Sequence, residues 1–314
     1  MTAGIAVQRP GGRWTAAERR ELLWALAFLS PWIIGFLIFT AGPMIWSLYL
    51  SFTDYDPLVD QATFIGLDNY VRMIEDPRVP LSMWNTVYFT VLFVPLSTVL
   101  GIFLASLLNR VGGRSAGFFR TAFYLPNVTP AVAVGTLFLL LLTSNGLLNQ
   151  FLGLFGIDGP SWFNDPDWIK NGVVIMMLWS IGGTVVILFA AIRNVPVELY
   201  EAARIDGAGP WRQFLNVTLP MISGALFFVV IINTIASLQL FAEVYTIFFG
   251  QQTGQSASGE SAALFYVIYL FRQAFEFFNM GYASALAWVL FVVIGIITLI
   301  QFRVGRSLVY YENE

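Results

Sequence analysis

"ELYEAARIDGAGPWRQFLNVTLP", residues 198–220, is a charged, glycine-broken island between two long apolar segments. Pro196, just upstream, suits the first position of a helix, where its missing N–H would be unpaired anyway. Glu198 and Glu201 then fall in the first turns, where the helix dipole favours acid. Residues 197–206 are good helix formers with no breaker. Gly207 ends that helix, because it can take the left-handed cap conformation. Gly209 and Pro210 turn the chain into a second helix. There Trp211, Phe214, Leu215 and Thr218 share one face at i, i+3, i+4 and i+7. Pro220 marks the start of the next apolar segment. A few polar residues suffice to join two membrane spans, so a helix, a turn and a helix need another purpose. Two hosts compete for their apolar faces: the lipid interface and a docking surface on another protein.

Outward from the island the chain is apolar. Of its 314 residues, 57% are hydrophobic and 11% charged, whereas soluble domains carry about 25% charged residues. Six runs hold no charge: Leu22–Thr53, Val79–Asn109, Thr121–Ile157, Asn171–Ile192, Gln213–Ala242 and Phe277–Phe302. The shortest has 22 residues, which as a helix covers about 33 Å against a bilayer core of about 30 Å. The reading is an all-α integral membrane protein with six transmembrane helices. They fall near 22–50, 84–109, 121–142, 171–192, 221–248 and 280–302.

The chain divides into a tail over 1–21, a first transmembrane helix in 22–52, an extracytoplasmic loop over 53–80, a body over 81–302 and a tail over 303–314. The loop's Pro, Gly and Asp punctuation predicts turns around a short helix. A second short helix is expected at Leu147–Phe155. Pro31, Gly42-Pro43, Pro95, Pro126 and Pro130 are expected kinks, tolerated in a membrane where neighbours re-satisfy the freed carbonyls. Gly182, Gly183, Gly281, Ala283, Ala285 and Ala287 let helices approach closely. The first apolar run is far longer than the roughly 7–15-residue core of a secretory signal, so it reads as an uncleaved anchor.

Arginine and lysine set the orientation. Arg9, Arg13, Arg19, Arg20, Arg110, Arg114, Arg120, Arg193, Arg204, Arg212, Arg303 and Arg306 fall on one side, and Arg72, Arg78, Lys170 and Arg272 on the other. Both termini and the island are therefore expected in the cytoplasm of a multi-pass protein.

Composition also excludes function classes. There is no cysteine and no histidine, which removes disulfides, thiol chemistry, His-ligated metals and a Ser/His triad. The single lysine, Lys170, sits in "DWIKNG", so no Gly-Lys-Ser/Thr phosphate loop exists. Power must come from another subunit, an ion gradient, or nothing. The absence of an internal repeat counts against inverted-repeat transporters. Proton relays use several intramembrane acids or histidines, and only Glu243 lies inside a span. An ion-coupled secondary transporter and a membrane scaffold without cargo remain as alternatives.

The island's letters carry a resemblance. Glu201-Ala202-Ala203, then Gly207 after three residues, then Val217 after nine more and Leu219-Pro220, resembles the EAA signature of bacterial ABC-importer permeases. Only Val217, for isoleucine, departs. "SLYLSFTDYD", "FIGLDNY", "FRTAFYLPN" and "FNMGYASALA" resemble sugar-importer permeases, on the side of the larger maltose permease and the glycerol-phosphate permease, in the same order along the chain. The resemblance spans about residues 25–303. It implies a type I ABC importer permease fold in the bacterial or archaeal cell (inner) membrane, with residues 198–220 as a cytoplasmic coupling helix. Glu201, Ala202, Ala203, Asp206, Gly207, Leu219 and Pro220 would engage an ATPase. The implied partners are a second, non-identical permease, two ATP-binding subunits, an extracytoplasmic solute-binding protein and lipid; nucleic acid is not among them. The chain itself would do no bond chemistry and hold no cofactor or metal, with ATP and Mg on the ATPases. The implied cargo class is sugars, polyols or glycerol phosphates. Family members carry a Gly-Gly-Gly-Pro run after span five, where this chain reads "FFGQQTGQSASGES", so contact with the binding protein is expected to differ there.

The resemblance also assigns a substrate path. Asn233, Ser237 and Leu240 share a face of span five, with Gln239 beside it. Trp179, Ser180 and Thr184 match path positions on span four, and Trp179 suits stacking on a sugar ring. From the residues alone, Asn233 and Ser237 equally suit polar glue between helices. Glu243 suits either snorkelling to water or the outer mouth of the path.

Overall fold

The computed structural model describes residues 15–111, 113–249 and 261–308. The first apolar run forms α1 (Ala16–Phe36), a π-helical turn (Leu37–Ala41) and α2 (Gly42–Leu50). Pro31 lies inside α1, and the π turn falls just before Gly42-Pro43. No described side chain of α1 is buried, and most are exposed.

The loop after α2 is richer than turns around one helix. It forms an antiparallel hairpin, β1 (Thr53–Asp56) with β2 (Gln61–Phe64), before α3 (Asp68–Glu75). The hairpin closes because Asp56 Oδ1 accepts the Leu58 N–H at 2.8 Å and Asp60 takes a positive φ of 51°, a conformation Asp tolerates.

The second run is α4 (Arg78–Arg110), the longest helix in the bundle. Thr86, Thr90 and Thr98 each return their hydroxyl to the carbonyl four residues back. That satisfies these polar groups where lipid offers no partner. The expected third span, 121–142, is instead a bent pair. Helix α5 (Gly113–Tyr124) passes through a 3₁₀ turn (Leu125–Val128) and meets α6 (Ala131–Leu141) at 97°. Pro130 causes the corner: the residue before a proline is driven extended, and Thr129 has ψ 132°. Helix α7 (Leu147–Gly153) matches the expected short helix.

The fourth run is likewise bent, by 50°, between α8 (Pro166–Trp179) and α9 (Gly182–Arg193). Gly182, at the start of α9, lets α5 come close, since a Cβ there would overlap the Phe123 carbonyl oxygen. The island follows as α10 (Val197–Ile205), α11 (Pro210–Gln213), a π turn (Phe214–Thr218) and α12 (Leu219–Met221). Span five is α13 (Ser223–Leu238) and α14 (Ala242–Phe248), separated by a break at 239–241. Helix α15 (Tyr266–Phe271), a π turn (Arg272–Glu276) and α16 (Met280–Leu308) complete the described chain.

Among the described residues four helices are long and apolar enough to cross a bilayer, and six spans result when each bent pair counts as one. The core lies where α4 meets α8, α9, α13 and α15. Phe89, Ile169, Met176, Val185, Leu188 and Phe265 are buried there, with Phe89 stacked on Phe93 and edge-on to Phe265. The outward faces stay greasy: Val91, Val99 and Phe103 on α4, and Phe291, Ile296 and Leu299 on α16, are exposed. Lipid is the solvent that such faces fit. The molecule is an integral membrane protein.

Candidate functional site

At one end of the bundle stands the island. Helix α10 has no buried residue. It closes with the double hydrogen bond of a Schellman cap: Gly207 N–H to Arg204 O at 3.0 Å and Ala208 N–H to Ala203 O at 2.8 Å. Gly207 has φ +77°, the left-handed value expected of it. Gly209 and Pro210 start α11 as the letters indicate. Two contacts tie the island down. Tyr200 Oη lies 2.9 Å from Thr218 Oγ1, and Gln213 Nε2 donates to Ala208 O at 2.7 Å.

Glu201, Ala202, Asp206 and Gly207 are exposed, while Ala203, Leu219 and Pro220 are half-buried. Leu219 helps line an apolar groove between α4 and the island, together with Phe103, Trp211 and Phe214. Ile205 is 88% exposed at the tip of α10, and Trp211 is 69% exposed. The side chains of Glu198, Glu201, Arg204 and Asp206 make no hydrogen bond or ion pair among the described residues.

Inside the bundle, α4, α6, α8, α9, α13 and α14 enclose a cavity of about 350 Å³. Five of the eight expected path residues line it: Ser180, Thr184, Asn233, Ser237 and Glu243. Asn233 Nδ2 donates to Ser97 Oγ and to Thr184 Oγ1, each at 3.2 Å. The Ser237 hydroxyl lies 3.0 Å from Thr90 Oγ1 and 2.9 Å from the Thr234 carbonyl oxygen. These groups therefore fasten α13 to α4 and α9 and also present polar atoms to the cavity.

The other three stand apart. Trp179 is outside the described lining and packs edge-on to Phe138, with ring centroids 5.6 Å apart. Leu240 is buried in the core, and Gln239 is exposed beside the break in span five. Asn127 and Thr129, next to the Pro130 corner, line the cavity without having been singled out in the sequence. Pro126 and Pro130 flank both residues, and the 3₁₀ turn between them, not a continuous helix, brings Asn127 and Thr129 to the cavity. Of the atypical stretch after span five, residues 250–260 lie outside the described residues.

The opposite end from the island holds a junction that composition did not reveal. Asn69 Nδ2 donates to Ser51 O at 3.0 Å and Thr53 O at 2.9 Å. Ser51 Oγ lies 2.8 Å from Tyr70 Oη. A Cβ at Gly281 would overlap the Thr53 carbonyl oxygen. The stretches "SLYLSFTDYD", "FIGLDNY" and "FNMGYASALA" thus meet at one point. Beside it Asp76 Oδ2 accepts from Tyr269 and, at 3.1 Å, from Tyr282, while Arg78 N–H donates to Oδ1 at 3.0 Å. Burial works against the Asp76 carboxylate, but the Tyr269 hydroxyl, the Arg78 N–H and the Tyr282 hydroxyl outweigh it and hold its pKa below the ordinary value. Burial first, and then the hydrogen bond to Asp76, push Tyr269 up to about 12.

Known proteins share this architecture. The sequence profile described as "Binding-protein-dependent transport system inner membrane component" matches residues 97–309. The probable ABC transporter permease protein YesP of Bacillus subtilis (strain 168) is 37% identical over 299 residues, covering 94% of each chain. The lactose transport system permease protein LacF of Rhizobium radiobacter is 33% identical, over 89% of this chain and 93% of that one. A chain from the crystal structure of a bacterial alginate ABC transporter, in complex with an alginate pentasaccharide-bound periplasmic protein, superposes with a TM-score of 0.79 at 26% identity. That match covers 92% of this chain and 96% of the other. An exposed capped island at the end of a membrane bundle, the profile over two thirds of the chain and relatives along nearly its full length lead to one assignment: the protein belongs to the binding-protein-dependent transport system inner membrane components, the ABC transporter permeases.

Proposed function

We propose that this chain is one of two permease subunits of an ATP-driven carbohydrate importer. It contributes half of the path and couples it to a separate ATPase. One observation carries the reading: the exposed island runs without a loop into the helix that lines the cavity. The π turn at Phe214–Thr218 leads through α12 to α13, which carries Asn233 and Ser237. A displacement of α10 therefore reaches the cavity wall through the turn at 206–209 and the Tyr200–Thr218 hydrogen bond, and from α11 onward along helix.

The island's charge favours a protein host over lipid headgroups. Glu198, Glu201 and Asp206 outnumber Arg204 on and beside α10, whereas interfacial helices carry Lys and Arg toward anionic lipid. Ile205 and the unpaired charges around it suit a groove on an ATP-binding subunit. In this reading Glu201, Ala202, Ala203, Asp206 and Gly207 contact that subunit, and Leu219 and Pro220 anchor the island to the bundle. ATP and Mg are held by the ATPases. The arginine asymmetry puts the island and both termini in the cytoplasm. The junction at the other end then faces the solute-binding protein. Sugars fit the cavity's neutral hydrogen-bonding groups, and carbohydrate transport is named for relatives such as LacF. The second permease is a different chain, and each of the two engages one of two ATPases.

The test is reconstitution of the chain with its second permease, ATPases and binding protein in vesicles. Uptake is expected to need ATP on the island side and binding protein on the other, and to persist when ion gradients are collapsed. Uptake driven by an ion gradient without ATP would replace this reading with a secondary transporter.

A further inference from the structure

The cavity has one ionisable side chain in its described lining. Asn127, Ser180, Thr184, Asn233 and Ser237 supply neutral donors and acceptors; Glu243 supplies a carboxyl group; no Arg or Lys lines it. Glu243 is half-buried and makes no hydrogen bond or ion pair among the described residues. A lone acid in a membrane-spanning segment is expensive to keep and points to function.

The fold holds Glu243 in place. Span five breaks at 239–241, where Phe241 takes φ −143° and ψ −69°, so α14 starts afresh with Glu243 in its first turn. Gly135 on α6 packs directly on that turn. A Cβ at 135 would lie 2.9 Å from the Glu243 carbonyl oxygen and 3.3 Å from Thr246 Cβ. The backbone at Glu243 is thus clamped from one side while its side chain reaches the cavity lining on the other. Free snorkelling to water would need no such clamp.

We propose that Glu243 is a charge filter and that the cargo is a neutral, polyhydroxylated carbohydrate, not one bearing a carboxylate, sulfonate or phosphate. The proposal rests on the importer reading above and narrows its substrate class. At the effective dielectric of a protein groove, a like unit charge within about 7 Å of a carboxylate is disfavoured roughly 50-fold. Hydroxyl groups incur no such penalty and match the neutral lining.

The chain has no native cysteine, so one introduced thiol reports alone on it. Ala236→Cys and, separately, Ser180→Cys place a thiol in the cavity lining; Leu67→Cys places one on the exposed outer loop. In the assembled complex, each is reacted with two methanethiosulfonates of similar size, one carrying trimethylammonium and one sulfonate. Modification is followed by the intact mass of this chain. The cation-to-anion rate ratio at 236 and 180 is expected to fall at least tenfold on Glu243→Gln, with the ratio at 67 unchanged. A ratio unmoved at both cavity positions overturns the filter, whatever the complex transports. Uptake of a uronic oligosaccharide by the unsubstituted complex, in preference to its neutral counterpart, overturns the cargo class. A shifted ratio in a complex that moves no sugar with ATP sinks the importer reading and leaves the filter standing.

Discussion

Substitution of Gly207 tests the coupling role where geometry isolates it. Gly207 has φ +77°, and no heavy atom lies within 4 Å of where a Cβ would stand. A side chain there meets no neighbour, so its cost is that of the left-handed backbone alone. For an L-residue that is about 1–2 kcal/mol, less for Asn and more for a β-branched residue. The cap depends on two hydrogen bonds, at 3.0 and 2.8 Å. Helix α10 has nine residues and none buried, and isolated helices so short are marginal. Beyond these, Gln213 Nε2 donates to the Ala208 carbonyl at 2.7 Å. Gly207→Ala is expected to cost about 1 kcal/mol, roughly a fivefold loss of docking-competent islands, and Gly207→Val about 2 kcal/mol, roughly thirtyfold. Gly207→Asn should stay close to wild type. The assay is binding-protein-stimulated ATP hydrolysis and uptake in the assembled complex, with Tm measured in parallel. Tm should not move, because the cap at Gly207 is exposed and touches no part of the core. Wild-type coupling in Gly207→Val would refute the reasoning, as would a loss of coupling that merely follows a collapse in Tm.

Three further outcomes are expected. Gly281→Ala drives a methyl group into the Thr53 carbonyl and should separate the hairpin from α16, seen as new protease cleavage in the 53–80 loop and a lower Tm. Asn85→Ala removes the Nδ2 donor held at 3.0 Å from both the Ser261 and the Leu264 carbonyls; at about 1–3 kcal/mol for such a loss, Tm should fall by several degrees. The lowered pKa of Asp76 means that its folded form favours the carboxylate. Its stabilisation is therefore complete above the ordinary carboxyl range and lost as pH falls through the lower folded value. The Tm gap between wild type and Asp76→Asn should hold constant from pH 7 to about 5 and close at more acid pH.

The features legible in the letters are those set by local chemistry. Pro196, Gly207, Gly209 and Pro210 each impose a backbone state on their own, and the island has the shape they dictate. Long charge-free runs likewise had only one solvent that suits them. What escaped was set by contacts distant in sequence. Pro130 announced a kink, but a 97° corner depends on α5 lying against Gly182. The hairpin over 53–64 has no Asn-Gly turn or clean alternation, and it is held by Asn69 and by the bare surface of Gly281. Asn233 and Ser237 suited both path and glue in the sequence, and they contact partner helices while lining the cavity. The separation of Trp179 from the cavity could not be read from spacing, because the 50° bend begins at the next residue.

The π turn at Phe214–Thr218 acts as a phase setting. An α-helix advances about 100° per residue, and a π turn stores roughly one residue beyond the α count. Two hydrogen bonds, Ile222 N–H to Thr218 O at 3.0 Å and Leu226 N–H to Ile222 O at 2.9 Å, bridge the joint at Ile222, where ψ is 5°, and so tie the phase of the π turn to α13. Shedding that residue would turn everything beyond Thr218 by about 100° and shift it by about 1.5 Å along the axis. Asn233 would swing away from Ser97 and Thr184, and Ser237 from Thr90. In the importer reading proposed above, a stroke at α10 that absorbs or releases this bulge would reach the cavity as torsion, a crank rather than a piston.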